Sequence, residues 1–135
     1  MKQKLQRIIA RLRRRARRTP DRYADLGTLC ESPIEKLFWK VGYPRLSKIA
    51  DFTPQTKAGP YRLDFSLVGD NFKIAVECDG YQYHSTEKQI TADNSRDLDL
   101  MCQGWIVVRV TGSRIWRDAP GCVADVVRLV KAVKR

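Results

Sequence analysis

Two carboxylates, Glu77 and Asp79, stand two residues apart at the end of an apolar run. Gly80 follows, and then the single histidine of the chain, His84. On an extended strand, residues i and i+2 project from one face, so Glu77 and Asp79 are expected side by side. A third carboxylate, Asp64, lies thirteen residues upstream between Leu63 and Phe65. Acidic groups gathered at the end of a buried strand repel one another and lose hydration, which favours a bound cation. The chemistry this suggests is a hard metal ion and the hydrolysis of a phosphate-bearing substrate.

The elements around these residues must bring Asp64 to the other two acids. Segments 61–68 and 71–79 alternate and flank Gly69-Asp70, a hairpin signal. In the first, Arg62, Asp64 and Ser66 share a face opposite Leu63, Phe65 and Leu67. In the second, Lys73, Ala75, Glu77 and Asp79 oppose Ile74, Val76 and Cys78. The hairpin therefore places Asp64 close to Glu77 on one sheet face. Leu5, Ile8, Ile9 and Leu12 have helical spacing, which predicts a helix over 2–18 that ends at Thr19-Pro20-Asp21. Ser32-Pro33-Ile34-Glu35 reads as an N-cap with a capping box, opening a helix that Gly42 and Pro44 stop near Val41. A strand over 46–52 and a turn-rich link through Pro54 and Gly59-Pro60 follow.

A helix over 87–103 is expected to pack through Ile90, Leu98 and Met101, leaving Asp93, Arg96 and Asp97 on other faces. Gly104 ends it, and 105–110 reads as a buried strand with Trp105 in the core. Val123, Val126, Val127, Val130 and Val133 then line one face of a last helix. The order of elements predicts an α/β (α+β) fold, a mixed sheet flanked by helices.

A chain of 135 residues suits one domain, here 21–135, preceded by an arm over 1–20. The net charge of +11 is concentrated in that arm, because residues 1–18 carry nine Lys or Arg and no acid. Arg11, Arg13, Arg14, Arg15, Arg17 and Arg18 make it an electrostatic footprint for polyanions, nucleic acid first. Cys30, Cys78, Cys102 and Cys122 have no metal-like spacing, so no structural zinc is expected and the thiols read as reduced and buried. No apolar run is long enough to span a membrane, and the charged N-terminus lacks the apolar core of a secretory signal. A soluble, cytoplasmic protein with no membrane partner is the expectation.

Taken in order, Ser32-Pro33-Ile34-Glu35 with Leu37-Phe38-Trp39, Pro54-Gln55, Tyr61 to Phe65, and Val76 to Gly80 with His84 resemble the PD-(D/E)xK nuclease superfamily. Asn94 to Asp97, Leu100 and Gly104-Trp105 leading to Val110 extend the resemblance, which covers residues 29–112. Within the superfamily the chain is most similar to endonuclease-like domains of the very-short-patch-repair type. The resemblance implies a restriction-endonuclease-like core and a metal-dependent endonuclease acting on DNA. It implies Asp64, Glu77 and the main-chain carbonyl of Cys78 as ligands for Mg2+ or Mn2+. Asp79 stands where the superfamily usually has lysine, and the nearer subfamily carries Asp-Gly with a following histidine.

His84 is the candidate for orienting or deprotonating the attacking water, since its ordinary pKa of about 6.5 suits proton transfer near neutrality. Asp79 is expected to assist through the metal or its water shell, the alternative being a turn with Gly80; the alternative for His84 is an ordinary surface position. Glu35 is accounted for by its capping box, while the resemblance places a glutamate of the first helix at the active site. Gln55 is a secondary candidate to reach the site from its strand, the alternative being a place outside it. Arg96 is a candidate for contacting phosphate or orienting the acids, and Arg96 with Asp97 equally suits a helix-face ion pair. The alternative to an enzyme is a nucleic-acid-binding module that cuts nothing. A subunit of a recombination, restriction or defence assembly, working as a homodimer or beside a helicase or recognition subunit, is a further reading.

Overall fold

The computed structural model of the chain describes residues 1–16, 20–79 and 86–134. In chain order these form α1 (Lys2–Ala16), α2 (Pro20–Gly27), α3 (Pro33–Leu46), β1 (Asp51–Ala58), β2 (Tyr61–Val68), β3 (Lys73–Asp79), α4 (Glu87–Cys102), β4 (Trp105–Thr111) and α5 (Gly112–Val133). One sheet has the order β1-β2-β3-β4, antiparallel for the first two pairs and parallel for β3–β4. Parallel neighbours need a crossover connection, and α4 supplies it. This is the expected α+β architecture, with a restriction-endonuclease-like core. Among the described residues no helix is long and apolar enough to cross a membrane.

The larger core lies between one sheet face and helices α3 and α5. Phe38, Leu46, Phe65, Ile74, Ile115 and Val123 are fully buried there. Phe52 stands 4.9 Å from the Trp39 ring and 5.3 Å from Phe65, so an aromatic cluster joins α3 to β1 and β2. A smaller cluster of Ala58, Leu63, Ala75, Leu100 and Trp105 fills the opposite face beneath α4.

Several local expectations give way to these contacts. Pro20 opens α2, and Trp39 Nε1 donates to the Tyr23 carbonyl at 3.1 Å, which ties α2 to α3. α3 continues through Gly42 and Pro44 to Leu46. Pro44 falls in the last turn, where a missing N–H interrupts little of the helical ladder. Burial of Tyr43 and Leu46 on the core side favours the longer helix. Gly42 is there for space: a Cβ would stand 3.2 Å from Leu46 Cδ1 and 3.5 Å from the Phe52 ring. The strand expected over 46–52 therefore begins at Asp51, and the presumed link through Pro54 is part of β1. As an edge strand β1 tolerates a proline, and Gly59, at φ 58°, makes the turn into β2.

The largest correction concerns α4. Ile90, Leu98 and Met101, expected to pack, are exposed, and Leu100 is the buried residue of this helix. The inward face carries Arg96 and Asp97, whose partners are charged side chains. β4 is an edge strand rather than a buried one: Trp105 and Val110 are buried while Ile106 is exposed. Leu63 also leaves the face of Phe65 and Leu67 for the smaller cluster. The switch falls where Gln55, at φ 51°, interrupts the β1–β2 ladder between the pairs Pro54↔Phe65 and Thr56↔Leu63. Cys30 and Cys122 are buried as expected, but Cys102 is exposed.

Gly42→Val tests the close approach of α3 and β1. Overpacking against Leu46 and, through the added methyls, against Phe52 should destabilise the fold by about 1–3 kcal/mol in denaturant unfolding. An unchanged midpoint would mean that both side chains yield freely.

Candidate active site

Five elements converge on one acidic group. The first turn of α3 supplies Glu35: Ser32 accepts the Glu35 N–H at 3.2 Å, as a helix N-cap does. The Glu35 carboxylate turns toward side chains, accepting from Ser32 Oγ at 2.8 Å and from Gln55 Nε2 at 2.7 Å. The irregular backbone at Gln55 thus brings this edge-strand amide to α3. Gln55 is also the residue that the register places opposite Asp64.

β2 and β3 carry the next two acids. Asp64 Oδ2 accepts the backbone N–H of Cys78 at 2.8 Å, which anchors the carboxyl beside the end of β3. Glu35 and Glu77 are 7% and 5% exposed, so these acids are largely withdrawn from water. Burial is the main cause that raises the Asp64 pKa to about 7; the charge of Glu77 adds to it, opposed by the Cys78 amide. The charge of Glu35 and a hydrogen bond shared with the Glu77 carboxyl raise it further. Two like charges in a shared low-dielectric site favour holding one proton between them. Burial likewise pushes the Cys78 thiol well above its usual range, which disfavours a thiolate there.

α4 closes this group. Arg96 Nη2 donates to Glu77 Oε1 at 2.7 Å and to the Arg62 carbonyl at 3.1 Å. Its guanidinium lies over the Tyr61 ring, 5.6 Å from the centroid, and the Tyr61 hydroxyl donates to Asp99 of the same helix. The next residue, Asp97, receives Nε and Nη2 of Arg109 at 3.1 and 2.8 Å, a two-pronged contact. Arg109 Nη1 then reaches Asp79 Oδ1 at 3.1 Å. Consecutive residues of α4 therefore bear on the two carboxylates spaced i, i+2 on β3.

Glu35, Gln55, Asp64, Glu77 and Arg96 are brought into one group, and Asp79 and Asp97 into an adjoining one organised by Arg109. Asp79 is thus an ion-pair partner, in addition to any role in a turn. His84 lies outside the described residues, as do Arg17 and Arg18, and of the Arg13, Arg14 and Arg15 side chains nothing is described. Arg11 is not brought to the acids. With Gln3, Gln6, Arg7 and Ala10 it lines an open groove that also includes Asp70, at the turn end of the β2–β3 hairpin. Six residues separate Asp70 from Asp64, roughly 20 Å of extended chain. Leu5, Ile8 and Ile9 of α1 are exposed.

Arg109 is the site residue that sequence reasoning passed over. Its signal was a lone charge in the apolar stretch from Trp105 to Val110. The parallel register then sets it beside Glu77. Among the described residues no group of three or more His, Cys, Asp or Glu side chains is arranged to hold a metal ion. A cation here would rest on two carboxylates, a main-chain carbonyl and water. Among the described residues every buried side-chain nitrogen and oxygen has a hydrogen-bond partner.

A four-stranded mixed sheet with acids gathered from both arms of its central hairpin defines a restriction-endonuclease-like domain. The restriction endonuclease-like family REase_MTES_1575 matches residues 46–130, well over half of the chain, and the protein belongs to that family. Comparison with curated proteins returns no match. The matched stretch contains every acid of the site except Glu35.

The Asp64 environment makes a signed prediction. An acid whose pKa is raised on folding destabilises the native state as pH climbs from its ordinary 3.8 to about 7, and the full penalty remains above that. Asp64→Asn removes the penalty and keeps an acceptor for the Cys78 N–H. In metal-free buffer its gain in Tm over wild type should grow across that window and level off above it. A gain equal at both ends would mean that the carboxyl is not held neutral.

Proposed function

We propose that this chain is a metal-dependent endonuclease of the PD-(D/E)xK type, close to the very-short-patch-repair branch, that hydrolyses phosphodiester bonds in DNA. The observation that carries this reading is the Asp64–Glu77 pair, drawn from two strands into a site with little water. Residues 21–135 form the nuclease domain in this reading, and 1–20 a basic arm.

The donor set suits Mg2+ or Mn2+. Magnesium commonly binds through one or two carboxylates and keeps several waters, so a cage of side chains is not required. Asp64, Glu77 and the Cys78 carbonyl are the proposed ligands. The bound ion would polarise a phosphoryl oxygen and acidify a water. The Cys78 amide keeps Asp64 aimed at the end of β3. Arg96 holds Glu77 in place and carries a positive charge to the edge of the site. Glu35, fixed by Ser32 and Gln55, adds negative charge behind Asp64. Arg109 and Asp97 hold Asp79 beside the pair, and His84, five residues further on, is the proposed group that takes a proton from the attacking water. The arm would neutralise phosphates about 20 Å from the acids, supplying affinity without reading sequence.

Arg96 and Arg109 already neutralise Glu77 and Asp79, and this favours a second reading in which the domain binds nucleic acid without cutting it. It would then serve within a recombination, restriction or defence assembly, as a homodimer or beside a helicase or recognition subunit.

Incubation of supercoiled plasmid with Mg2+ separates the two. Wild type should nick or cut it, while Asp64→Asn and Glu77→Gln lose roughly 100-fold or more in rate. Binding without cleavage across Mg2+ and Mn2+ would sink the enzyme reading. Replacing Arg11, Arg13, Arg14, Arg15, Arg17 and Arg18 with glutamine should weaken DNA binding. It should also flatten the dependence of log K on log salt by about one unit per lost phosphate contact. An unaltered slope would remove the arm from the interface.

A further inference from the structure

The three tryptophans occupy very different environments. Trp39 and Trp105 are 3% and 8% exposed, whereas Trp116 is 55% exposed. Trp116 belongs to the first segment of α5, ahead of Asp118, whose φ of −154° and ψ of 64° break the helix. Asp118 Oδ1 accepts the Gly121 N–H at 3.0 Å and so opens the longer segment that follows. The short segment is held at both ends. Thr111 caps it by accepting the Arg114 N–H at 3.3 Å, and Ile115, next to Trp116, is fully buried. The indole is therefore presented to solvent from a fixed turn.

Its place in the fold bounds its distance from the acids. Thr111 is the register partner of Asp79. Adjacent strands lie ~4.8 Å apart and a helix rises ~1.5 Å per residue, which sets the Trp116 backbone within about 13 Å of Asp79. Stacked nucleotides advance roughly 3.4 Å per phosphate and an unpaired strand extends further, so this is a reach of about four nucleotides or fewer. Arg117 beside it is exposed, and Arg114 pairs with Asp125 at 2.8 Å. A flat aromatic face next to an exposed guanidinium matches the two parts of a nucleotide, the base and the phosphate.

We propose that Trp116 is a stacking platform for an unpaired base of the strand whose backbone lies at Asp64 and Glu77. The inference rests on the nuclease reading and narrows its substrate class. A base within a duplex has both faces covered by its neighbours, so only an unpaired or terminal base can stack on this indole. Single-stranded DNA, or a duplex with a gap, flap or frayed end, is the substrate that engages it. Every base has a π-face, so the contact carries no sequence preference.

The test uses the full chain carrying Asp64→Asn, so that bound DNA stays intact. Its probes are a short labelled oligothymidylate and a covalently closed circular duplex, which has neither an end nor an unpaired base. The oligothymidylate should quench tryptophan fluorescence, because Trp116 is the accessible indole. Trp116→Ala should abolish the quench and weaken oligothymidylate binding about tenfold, while duplex binding is unchanged and Trp116→Tyr retains most of the affinity. Circular dichroism and Tm should match the parent, since the side chain is exposed. If the parent binds both probes, and Trp116→Ala binds oligothymidylate as tightly, the platform is overturned and the nuclease reading stands. Equal losses on both probes also overturn it, because the contact then senses DNA in general. If the parent binds neither probe, the nuclease reading fails and this inference fails with it.

Discussion

Bringing Asp64 and Glu77 together is unfavourable by itself, because two carboxyls close to each other and poorly hydrated resist ionisation together. The arrangement persists because each acid is held by a different part of the fold. Asp64 leans on the Cys78 amide, Glu77 on Arg96, and Glu35 on Ser32 and Gln55. Removing any one of these supports would leave a buried charge without its partner, which is costly in a low-dielectric site. The β2–β3 hairpin, the first turn of α3 and the inward face of α4 are all tied to this one electrostatic problem.

α4 shows how the constraint shapes the fold. An amphipathic helix ordinarily buries its apolar stripe, yet α4 leaves Ile90, Leu98 and Met101 in solvent and docks through Leu100 and its charged residues. Arg96 meets Glu77 on β3, and Asp97 shares Arg109 of β4 with Asp79. The β1–β2 ladder makes a similar concession at Gln55, whose left-handed backbone breaks the strand pairing opposite Asp64. An amide side chain is thereby delivered to Glu35. Regular strand pairing thus gives way at the site.

Much of this was readable in advance, and the reasons differ from residue to residue. The Gly69-Asp70 turn and the i, i+2 spacing of Glu77 and Asp79 are local, so hairpin geometry alone set Asp64 against Glu77. The cap at Ser32 was equally local, although the Glu35 carboxylate found Gln55 rather than closing a capping box. Arg109 went unnoticed as a site residue because its partner Asp97 lies on another element, and only the parallel β3–β4 register brings Asp79 within reach.

The division follows the range of the forces involved. Turn chemistry, strand alternation, helix caps and the distribution of charge act between near neighbours, and the sequence by itself determined the mixed α+β order, the acid-bearing hairpin and the basic arm. Tertiary structure decided where α3 ends, which side of α4 faces inward, that β4 is an edge strand, and which cation each acid receives. Those outcomes depend on contacts between residues far apart in the chain. Phe52 lies against Gly42, Arg96 against Glu77 and Arg109 between Asp79 and Asp97, and in each case the packing or electrostatic gain outweighed a local preference.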